Sequence, residues 1–260
     1  MNLDAYLRRI EYSGVLEPSA QTLAALHLAH ATHIPFENLD ILLGKTIKLD
    51  VESLERKLID GRRGGYCFEQ NLLFSAVLEQ LGFAVTRLLA RVRYRATALR
   101  PRTHMNLLVA FPEGRWIADV GFGADGLLLP VPFGDGAESR QFPWTYRVAG
   151  AGDRWVMQSF RESAWLDLYA FTLDPQEPVD YETANWYTST HPNSRFVQTL
   201  TVQRLRADAR LTLRNRELIT DRGETVTSRT LQDQAEIIAV LAESFGLEFP
   251  PDTTFRFNDV

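Results

Sequence analysis

The chain has 260 residues and a formal net charge of -5. It therefore lacks the overall basic charge of a protein that binds nucleic acid, although a local basic patch could still bind a phosphate-bearing small molecule. Hydrophobic residues make up 45% and charged residues 23% of the chain, which indicates a folded globular protein rather than a disordered or fibrous one. At this length we expect one large domain, or two to three small ones that share interfaces.

The N-terminus and the cysteine content bear on the compartment. Residues 1–9 are polar and acidic early, without the basic and apolar regions of a signal peptide. No stretch reaches the roughly 18 uncharged apolar residues that span a membrane. The single cysteine, Cys67, cannot form an internal disulfide or build a thiolate zinc site. We therefore expect a reducing cytoplasm and no membrane partner.

The first third of the chain has the apolar spacing of helices. One helical pattern begins at Leu3 and breaks before Gly14, and a second runs from Ser19 through Ala31. A third follows Cys67 until Gly82 stops it. The sequence thus predicts a helical bundle with the cysteine near its inner end.

After Gly82 the apolar period becomes that of β-strands. The predicted strands are 86–94, 105–111, 115–120, 145–148, 155–160 and 165–171. Pro112-Glu113-Gly114 predicts a hairpin between the second and third of these strands. This region is expected to form a small barrel or a strongly curved sheet. The predictions for the remainder are a short helix at 181–187, strands at 197–205 and 210–213, a turn at 221–223 and a helix at 231–245.

Cys67 is a candidate nucleophile. It follows Gly64-Gly65 and opens a helical pattern, so the unpaired amide groups of a helix N-terminus would favour its thiolate. The two glycines allow a tight bend and would leave open space beside the sulfur. The alternative is a buried structural cysteine, which is common for free thiols. We favour the nucleophile.

A nucleophilic cysteine needs a base, and the chain has five histidines. His27, His30 and His33 lie at the end of the second helix, where we expect contacts with the helix dipole and solvent rather than a metal site. His191 lies in a turn and is the second choice of base. His104 opens a predicted strand and is the first choice.

Asp119 is a candidate partner for His104. It stands between Ala118 and Val120 at the end of the paired strand, where a buried acid requires a partner. A turn centred between Glu113 and Gly114 would put Asp119 opposite Leu108, about 13 Å along the strand from His104. A bulge, a bend or a different register would be needed to bring the two side chains together.

Four motifs resemble the arylamine N-acetyltransferase family. They are Ile34-Pro35-Phe36-Glu37-Asn38-Leu39, Arg63-Gly64-Gly65-Tyr66-Cys67-Phe68-Glu69-Gln70-Asn71, Thr103-His104-Met105 and Ala118-Asp119-Val120-Gly121-Phe122-Gly123. The resemblance covers most of the chain and weakens after about Pro175. It implies an α+β fold with an N-terminal helical bundle (1–83), a central β-barrel (84–190) and a C-terminal α/β lid (191–260), around a cysteine-protease-like core.

By the same resemblance, Cys67 would be the nucleophile, His104 the base and Asp119 the orienting carboxylate. The implied reaction moves an acetyl group from acetyl-CoA to an arylamine, arylhydrazine or N-hydroxyarylamine through an acetyl-cysteine intermediate, with ping-pong kinetics. Acetyl-CoA would be a substrate, and no tightly bound cofactor or metal is expected. The protein would act as a monomer or a homodimer.

The resemblance also suggests residues that contact the substrates. We expect Phe36 and Phe122 to line the acceptor pocket, with Phe196 as a further pocket residue, while Val92 could equally belong to the core. Thr103, Gly121 and Gly123 are assigned to the substrate and CoA site, where the glycines would allow close approach of the donor or simply form a turn. Arg63 and Glu37 are expected to form a structural ion pair.

Three alternatives share parts of this pattern. A papain-like or transglutaminase-like enzyme would use the same order of cysteine, histidine and aspartate, although no secretory signal supports a secreted protease. An amide synthase of the same fold would act on a polyketide chain. In a non-enzymatic binding module, Cys67 would simply be a core residue.

Overall fold

A computed structural model of the chain describes residues 1–123 and 125–258. Its N-terminal region is helical, as predicted. The helices are α1 (Leu3–Arg9), α2 (Ala20–His33), α3 (Leu39–Leu42), α4 (Val51–Leu54), which continues as a π-helical turn (Glu55–Asp60), and α5 (Cys67–Gln80). Helix α2 begins where predicted because the Ser19 side chain accepts a hydrogen bond from the Thr22 N–H at 3.1 Å.

Eight antiparallel strands form the central sheet. They are β2 (Ala84–Val92), β3 (Arg102–Phe111), β4 (Gly114–Ala118), β5 (Val131–Pro132), β6 (Glu138–Gln141), β7 (Trp144–Ala151), β8 (Arg154–Arg161) and β9 (Ala164–Phe171). Their spatial order is β5-β4-β3-β2-β9-β8-β7-β6. Strand β5 at one edge contacts β6 and β7 at the other, so the sheet curls into a nearly closed barrel. The short strands β5 and β6 were not predicted.

The C-terminal region combines helices with a second sheet. Its elements are α6 (Pro178–Thr190), α7 (Arg195–Gln198), β10 (Thr201–Leu205), β11 (Arg210–Arg214), β12 (Glu217–Asp221), β13 (Val226–Thr230) and α8 (Gln234–Val240), which continues as a π-helical turn (Leu241–Phe245). The N-terminal strand β1 (Phe36–Glu37) pairs with β10 at the edge of this sheet. The chain is therefore α+β, with the three regions that the sequence predicted.

Two predicted boundaries in this region were wrong, for local reasons. The strand expected from residue 197 begins at Thr201, because the Ser194 side chain accepts from the Phe196 N–H at 3.3 Å and starts a helical turn. The last helix begins at Gln234 rather than at 231, because Asp233 caps it by accepting from the Glu236 N–H at 2.9 Å. In both cases a polar side chain decided where the helix starts.

The described residues form three hydrophobic cores, which lie within and between the three regions. Helix α6 contributes Tyr181 and Ala184 to the core of the N-terminal helices, while Leu39 and Leu42 of α3 belong to the C-terminal core. The regions are therefore packed into one another, and the domain boundaries at 83 and 190 stay a prediction. No helix within the described part of the chain is long and apolar enough to cross a bilayer.

A buried ion network joins the barrel to the C-terminal sheet. Asp125 accepts hydrogen bonds from Arg161 at 2.8 and 3.0 Å and from Arg210 at 2.9 Å. Arg210 is 2% exposed and stacks on Trp144, with 3.9 Å between its guanidinium carbon and the ring centroid. Burial would raise the pKa of Asp125, but the hydrogen bond from Arg161 and the charge of Arg210 lower it. The carboxylate therefore compensates the buried guanidinium group of Arg210, and it shares the partly exposed Arg161 with Asp221, which accepts from Arg161 at 2.9 Å.

We expect Asp125→Asn to lower the free energy of unfolding by about 3 to 5 kcal/mol, because removing one partner leaves a buried charge uncompensated. Urea denaturation followed by circular dichroism measures this. Asp153→Asn is the matched control, since Asp153 is 82% exposed and its change should stay within about 0.5 kcal/mol. Equal unfolding midpoints for the two variants would contradict the stated importance of the network.

Candidate active site

Cys67 is the first residue of α5 and is 3% exposed. The amide groups in the first turn of a helix have no carbonyl partner within it, so they present positive partial charge near the thiol. Its Sγ lies 3.5 Å from the Thr103 carbonyl oxygen, the distance of a weak hydrogen bond when the sulfur carries its proton. The sulfur also lies on the wall of a cavity, so it is not enclosed on all sides by the core.

His104 and Asp119 are in direct contact. The His104 Nε2–H donates to Asp119 Oδ2 at 2.7 Å, and both side chains are buried. The Cys67 side chain also lies close enough to the imidazole to raise the pKa of His104. The structure thus brings the three predicted residues into one line of interactions.

The register of the hairpin explains how His104 reaches Asp119. Phe111 pairs with Gly114, so the turn is centred between Pro112 and Glu113 and not one residue later, as the sequence suggested. Continuing this register places Asp119 level with Asn106, two residues from His104 on the same face. The strand ends at Ala118, which frees Asp119 to turn toward the imidazole.

A β-bulge lies beside the thiol. Ala90 pairs with His104 and Arg91 pairs with Arg102, so Thr103 is an extra residue on β3. A bulge bends its strand and redirects the neighbouring side chains. Here it leaves the Thr103 carbonyl facing Cys67 and sets His104 at the start of the regular pairing. The bulge and the shifted register together provide the geometry that the sequence left open.

The electrostatics favour a protonated imidazole. Burial alone would lower the pKa of His104, but the charge and hydrogen bond of Asp119, together with the nearby Cys67 side chain, raise it to about 10. Burial would likewise raise the pKa of Asp119, yet His104 and the Asn71 hydrogen bond keep it below its usual range. The stability gained from His104 is therefore complete below about pH 6.5 and is lost toward pH 10. The gain from Asp119 is present above about pH 4 and is lost on acidification.

The second carboxylate oxygen of Asp119 is held by a side chain of α5 and by a backbone N–H of its own loop. Asp119 Oδ1 accepts from Asn71 Nδ2 at 2.9 Å and from the Gly121 N–H at 3.0 Å. Asn71 also donates to the Met105 carbonyl at 2.8 Å and accepts from the Val120 N–H at 3.1 Å. Sequence reasoning gave Asn71 no role, although it lies one helical turn from Cys67 and so faces the same side of α5.

His27 and His30 correct an expectation. Both are fully buried rather than in contact with solvent. His27 Nδ1–H donates to the Leu128 carbonyl at 3.0 Å, and its Nε2 accepts from the Asp119 N–H at 3.1 Å. Burial lowers the pKa of His27 to about 4, so the neutral ring can accept this bond at neutral pH. His30 Nδ1 lies 2.9 Å from the Tyr6 hydroxyl oxygen, and His30 Nε2 lies 2.7 Å from Gln70 Oε1. His27 and His30 are therefore internal supports, and His27 holds the backbone of Asp119, whereas His33 is partly exposed and contacts the Ala29 carbonyl of its own helix, as expected.

The diglycine before Cys67 also has a different purpose from the one expected. A Cβ on Gly64 would lie 2.0 Å from the Pro35 carbonyl oxygen, and one on Gly65 would lie 2.8 Å from Glu69. The glycines therefore permit close backbone packing and do not leave open space beside the sulfur. The predicted ion pair is confirmed, since Arg63 donates to Glu37 at 2.6 and 2.9 Å.

Gly121 packs against the helix that carries the thiol. A Cβ at this position would lie 2.8 Å from Cys67 Cα and 3.1 Å from the Cys67 carbonyl oxygen. The space beside Gly121 is thus filled by protein. Gly123 has a φ of +66°, and its Cα faces the ring of Phe36, which a Cβ would approach to 3.1 Å.

The cavity beside Cys67 has a volume of 360 Å³. Among the residues assigned to substrate from the sequence, the wall includes Phe36, Val92, Thr103, Phe122, Gly123 and Phe196, but not Gly121. The rings of Phe36 and Phe196 are 5.8 Å apart, and Phe122 lies 5.0 Å from the His104 ring. The wall next to the thiol and imidazole is thus largely apolar and aromatic.

Asn38 attaches the C-terminal part of this wall. Its Nδ2 donates to the carbonyls of Phe196 and Thr199 at 2.7 and 2.8 Å, and its Oδ1 accepts from the Thr201 N–H at 2.8 Å. Asn38 is 1% exposed, so water does not compete for these bonds. It is a further residue whose function the sequence did not reveal.

Comparison with known proteins agrees with this geometry. Residues 19–253 match the N-acetyltransferase family. The chain is 43% identical over 248 residues to the arylamine N-acetyltransferase of Escherichia coli K12. This alignment covers 94% of this chain and 88% of that protein. The chain belongs to the arylamine N-acetyltransferase family. It is accordingly an acyltransferase.

Solved structures of arylamine N-acetyltransferases have the same fold. The M. tuberculosis structure superimposes with a TM-score of 0.92 at 39% identity, covering 95% of this chain and 94% of that one. The Mycobacterium marinum enzyme, solved in complex with CoA, superimposes with a TM-score of 0.91 at 37% identity, covering 95% and 93%. The family assignment therefore applies to nearly the whole chain, including the C-terminal part where the sequence motifs weaken.

The first prediction for this arylamine N-acetyltransferase site concerns Gly121. Gly121→Ala should reduce acetyl transfer by at least about tenfold, because its methyl group would displace the backbone of Cys67, and overpacking should lower stability by about 1 to 3 kcal/mol. Steady-state kinetics and thermal unfolding measure the two effects. Gly134→Ala is the control, since a Cβ there meets nothing within 4 Å. Full activity of Gly121→Ala would show that the close packing is unimportant.

The second prediction concerns pH. Because His104 keeps its proton until about pH 10, an imidazolium lies beside Cys67 at neutral pH and should speed the alkylation of its sulfur by iodoacetamide. His104→Gln removes the imidazolium, so the rate at pH 7 should fall at least about tenfold and then rise with pH, as for a free thiol that ionises near 8.5. Stopped-time alkylation followed by mass spectrometry gives both profiles. Identical profiles would assign the stabilising cation elsewhere.

Proposed function

We propose that the protein transfers an acetyl group from acetyl-CoA to an arylamine, arylhydrazine or N-hydroxyarylamine, with Cys67 as the temporary carrier. The observation that carries this proposal is the Cys67, His104 and Asp119 arrangement on an aromatic cavity of 360 Å³. The cavity lies within the size range of small-molecule sites, and its apolar wall suits an aryl ring.

In the first half of the reaction the Cys67 thiolate attacks the thioester carbonyl. The tetrahedral intermediate collapses, the bond to the CoA sulfur breaks and the acetyl group stays on Sγ. His104 is protonated at neutral pH, so it can supply a proton to the departing CoA thiolate. Amide N–H groups at the start of α5 are suitable donors to the developing oxyanion.

In the second half the amine attacks the acetyl-cysteine. His104, now neutral, accepts a proton from the attacking nitrogen, and Cys67 leaves as the thiolate. Asp119 stabilises the imidazolium that is formed again, and its own bonds to Asn71 and Gly121 fix its orientation. Because both halves use the same sulfur, donor and acceptor react in turn, which predicts ping-pong kinetics.

Phe36, Phe122 and Phe196 are the proposed walls for the acceptor ring. They come from three separate parts of the chain, and all three contact the cavity that exposes the thiol. Val92 and Gly123 complete the same wall. An aromatic ring held here would bring its amino group toward Sγ and His104.

Acetylation of the free enzyme tests the intermediate. Incubation with acetyl-CoA in the absence of an amine should add one acetyl group, mapped to Cys67 by mass spectrometry of the intact and digested protein. The adduct should disappear on addition of an arylamine and should not form in Cys67→Ala. An adduct that persists in Cys67→Ala would remove Cys67 from the mechanism. Release of free acetate at the same rate with and without an amine would favour a hydrolase.

A further inference from the structure

Three arginines line the cavity that contains Cys67. Arg100 lies in the connection between β2 and β3, Arg195 starts α7, and Arg214 ends β11. These residues are far apart in sequence and belong to three different segments of the fold. Their convergence on one cavity is therefore produced by the tertiary structure.

No carboxylate among the residues that the structure describes neutralises this cluster. The cavity wall includes no aspartate or glutamate within the described ranges, although the chain contains 33 acidic residues and 28 lysines and arginines. Arg100, Arg195 and Arg214 form no ion pair with any residue that the structure describes. The Nε of Arg214 is buried without a hydrogen-bond acceptor. The guanidinium groups thus keep donors that protein atoms do not use.

The arginines also repel one another. Partial burial, followed by the positive charges of Arg214 and Arg100, lowers the pKa of Arg195 to about 10. Grouping cations without a counter-charge is unfavourable in the free protein. A site that tolerates this cost is suited to an anionic ligand, which would turn the repulsion into attraction.

The three arginines differ in exposure from the thiol and the imidazole. Arg195 is exposed and Arg100 and Arg214 are half-buried, whereas Cys67 and His104 are 3% and 2% exposed. A cavity of 360 Å³ is near the lower end of the range for small-molecule sites. It can hold an acyl group and part of a pantetheine arm, but not a whole CoA ester. When the thioester reaches Sγ, the nucleotide half must lie toward the protein surface, where Arg195 is exposed.

We propose that Arg100, Arg195 and Arg214 form an anion subsite that binds the phosphate groups of the CoA donor. This inference rests on the proposed acetyl transfer from acetyl-CoA. Guanidinium groups donate paired hydrogen bonds to phosphate oxygens, and three of them match the several charges of the CoA nucleotide better than the single charge of a carboxylated amine. The subsite would hold the donor by its charged end while the thioester reacts at the other.

Comparison of two acetyl donors tests the subsite. Acetyl-CoA carries the phosphates, whereas S-acetylpantetheine has the same reacting thioester without them. We expect Arg195→Gln/Arg214→Gln to raise the KM for acetyl-CoA by on the order of tenfold or more, with kcat within about twofold, and to leave the KM for S-acetylpantetheine unchanged. Added salt should raise the wild-type KM for acetyl-CoA only. Arg195→Lys keeps the positive charge but not the paired donors, so its KM for acetyl-CoA should rise less than that of the double variant.

Arg140→Gln is the matched control, because Arg140 is exposed on β6 and does not line the cavity. Its KM for both donors should equal that of the wild type. Adenosine 3′,5′-bisphosphate adds a test on the wild-type protein, in which folding of a variant plays no part. It should compete with acetyl-CoA, and Arg100→Gln should weaken that inhibition.

Three results would overturn the subsite. One is an equal change in KM for both donors, and another is wild-type behaviour of the double variant with acetyl-CoA. The third is a KM that changes in the double variant only for the acceptor aminobenzoate, which carries a carboxylate, and not for the neutral toluidine. That result would assign the arginines to binding an acidic amine. Failure of the proposed function looks different, because the wild type would then acetylate Cys67 from neither donor.

Discussion

The buried carboxylate of Asp119 is the interaction on which the arrangement of the site depends. A carboxylate with no access to water is stable only if protein groups replace its hydration. Asn71, the Gly121 N–H and His104 do so, and each belongs to a different part of the structure. Since Asn71 is on the helix of Cys67 and His104 is on β3, satisfying this one charge also fixes the thiol relative to the imidazole.

The cavity wall carries positive charge, although the net charge of the chain is -5. The cavity beside the thiol of this acidic protein is lined by a protonated histidine and three arginines. Asp119 neutralises the histidine, whereas the arginines have no carboxylate partner within the part of the chain that is described. Aromatic rings line the same cavity, so a ligand that reaches Cys67 meets both cationic and apolar surfaces.

Local signals in the sequence were sufficient where one side chain decides an outcome. Ser19 caps α2, and Gly82 follows α5 with a φ of +87°, so these ends were predicted correctly. The predictions failed where distant segments decide. The hairpin turn was misplaced by one residue, the burial of His27 depends on Leu128, and the tight packing of Gly64 depends on Pro35. No local pattern contains the position of a partner in another segment.

The sequence by itself determined the helical and strand periodicities and the single cysteine, and its motifs selected His104 and Asp119 as the candidate partners of that cysteine. The tertiary structure alone decided their distances, the neutral state of His27 and the meeting of Arg100, Arg195 and Arg214 at one cavity. The physical reason is that periodicity and capping act over a few residues, whereas burial, register and charge clustering depend on which remote segments pack together.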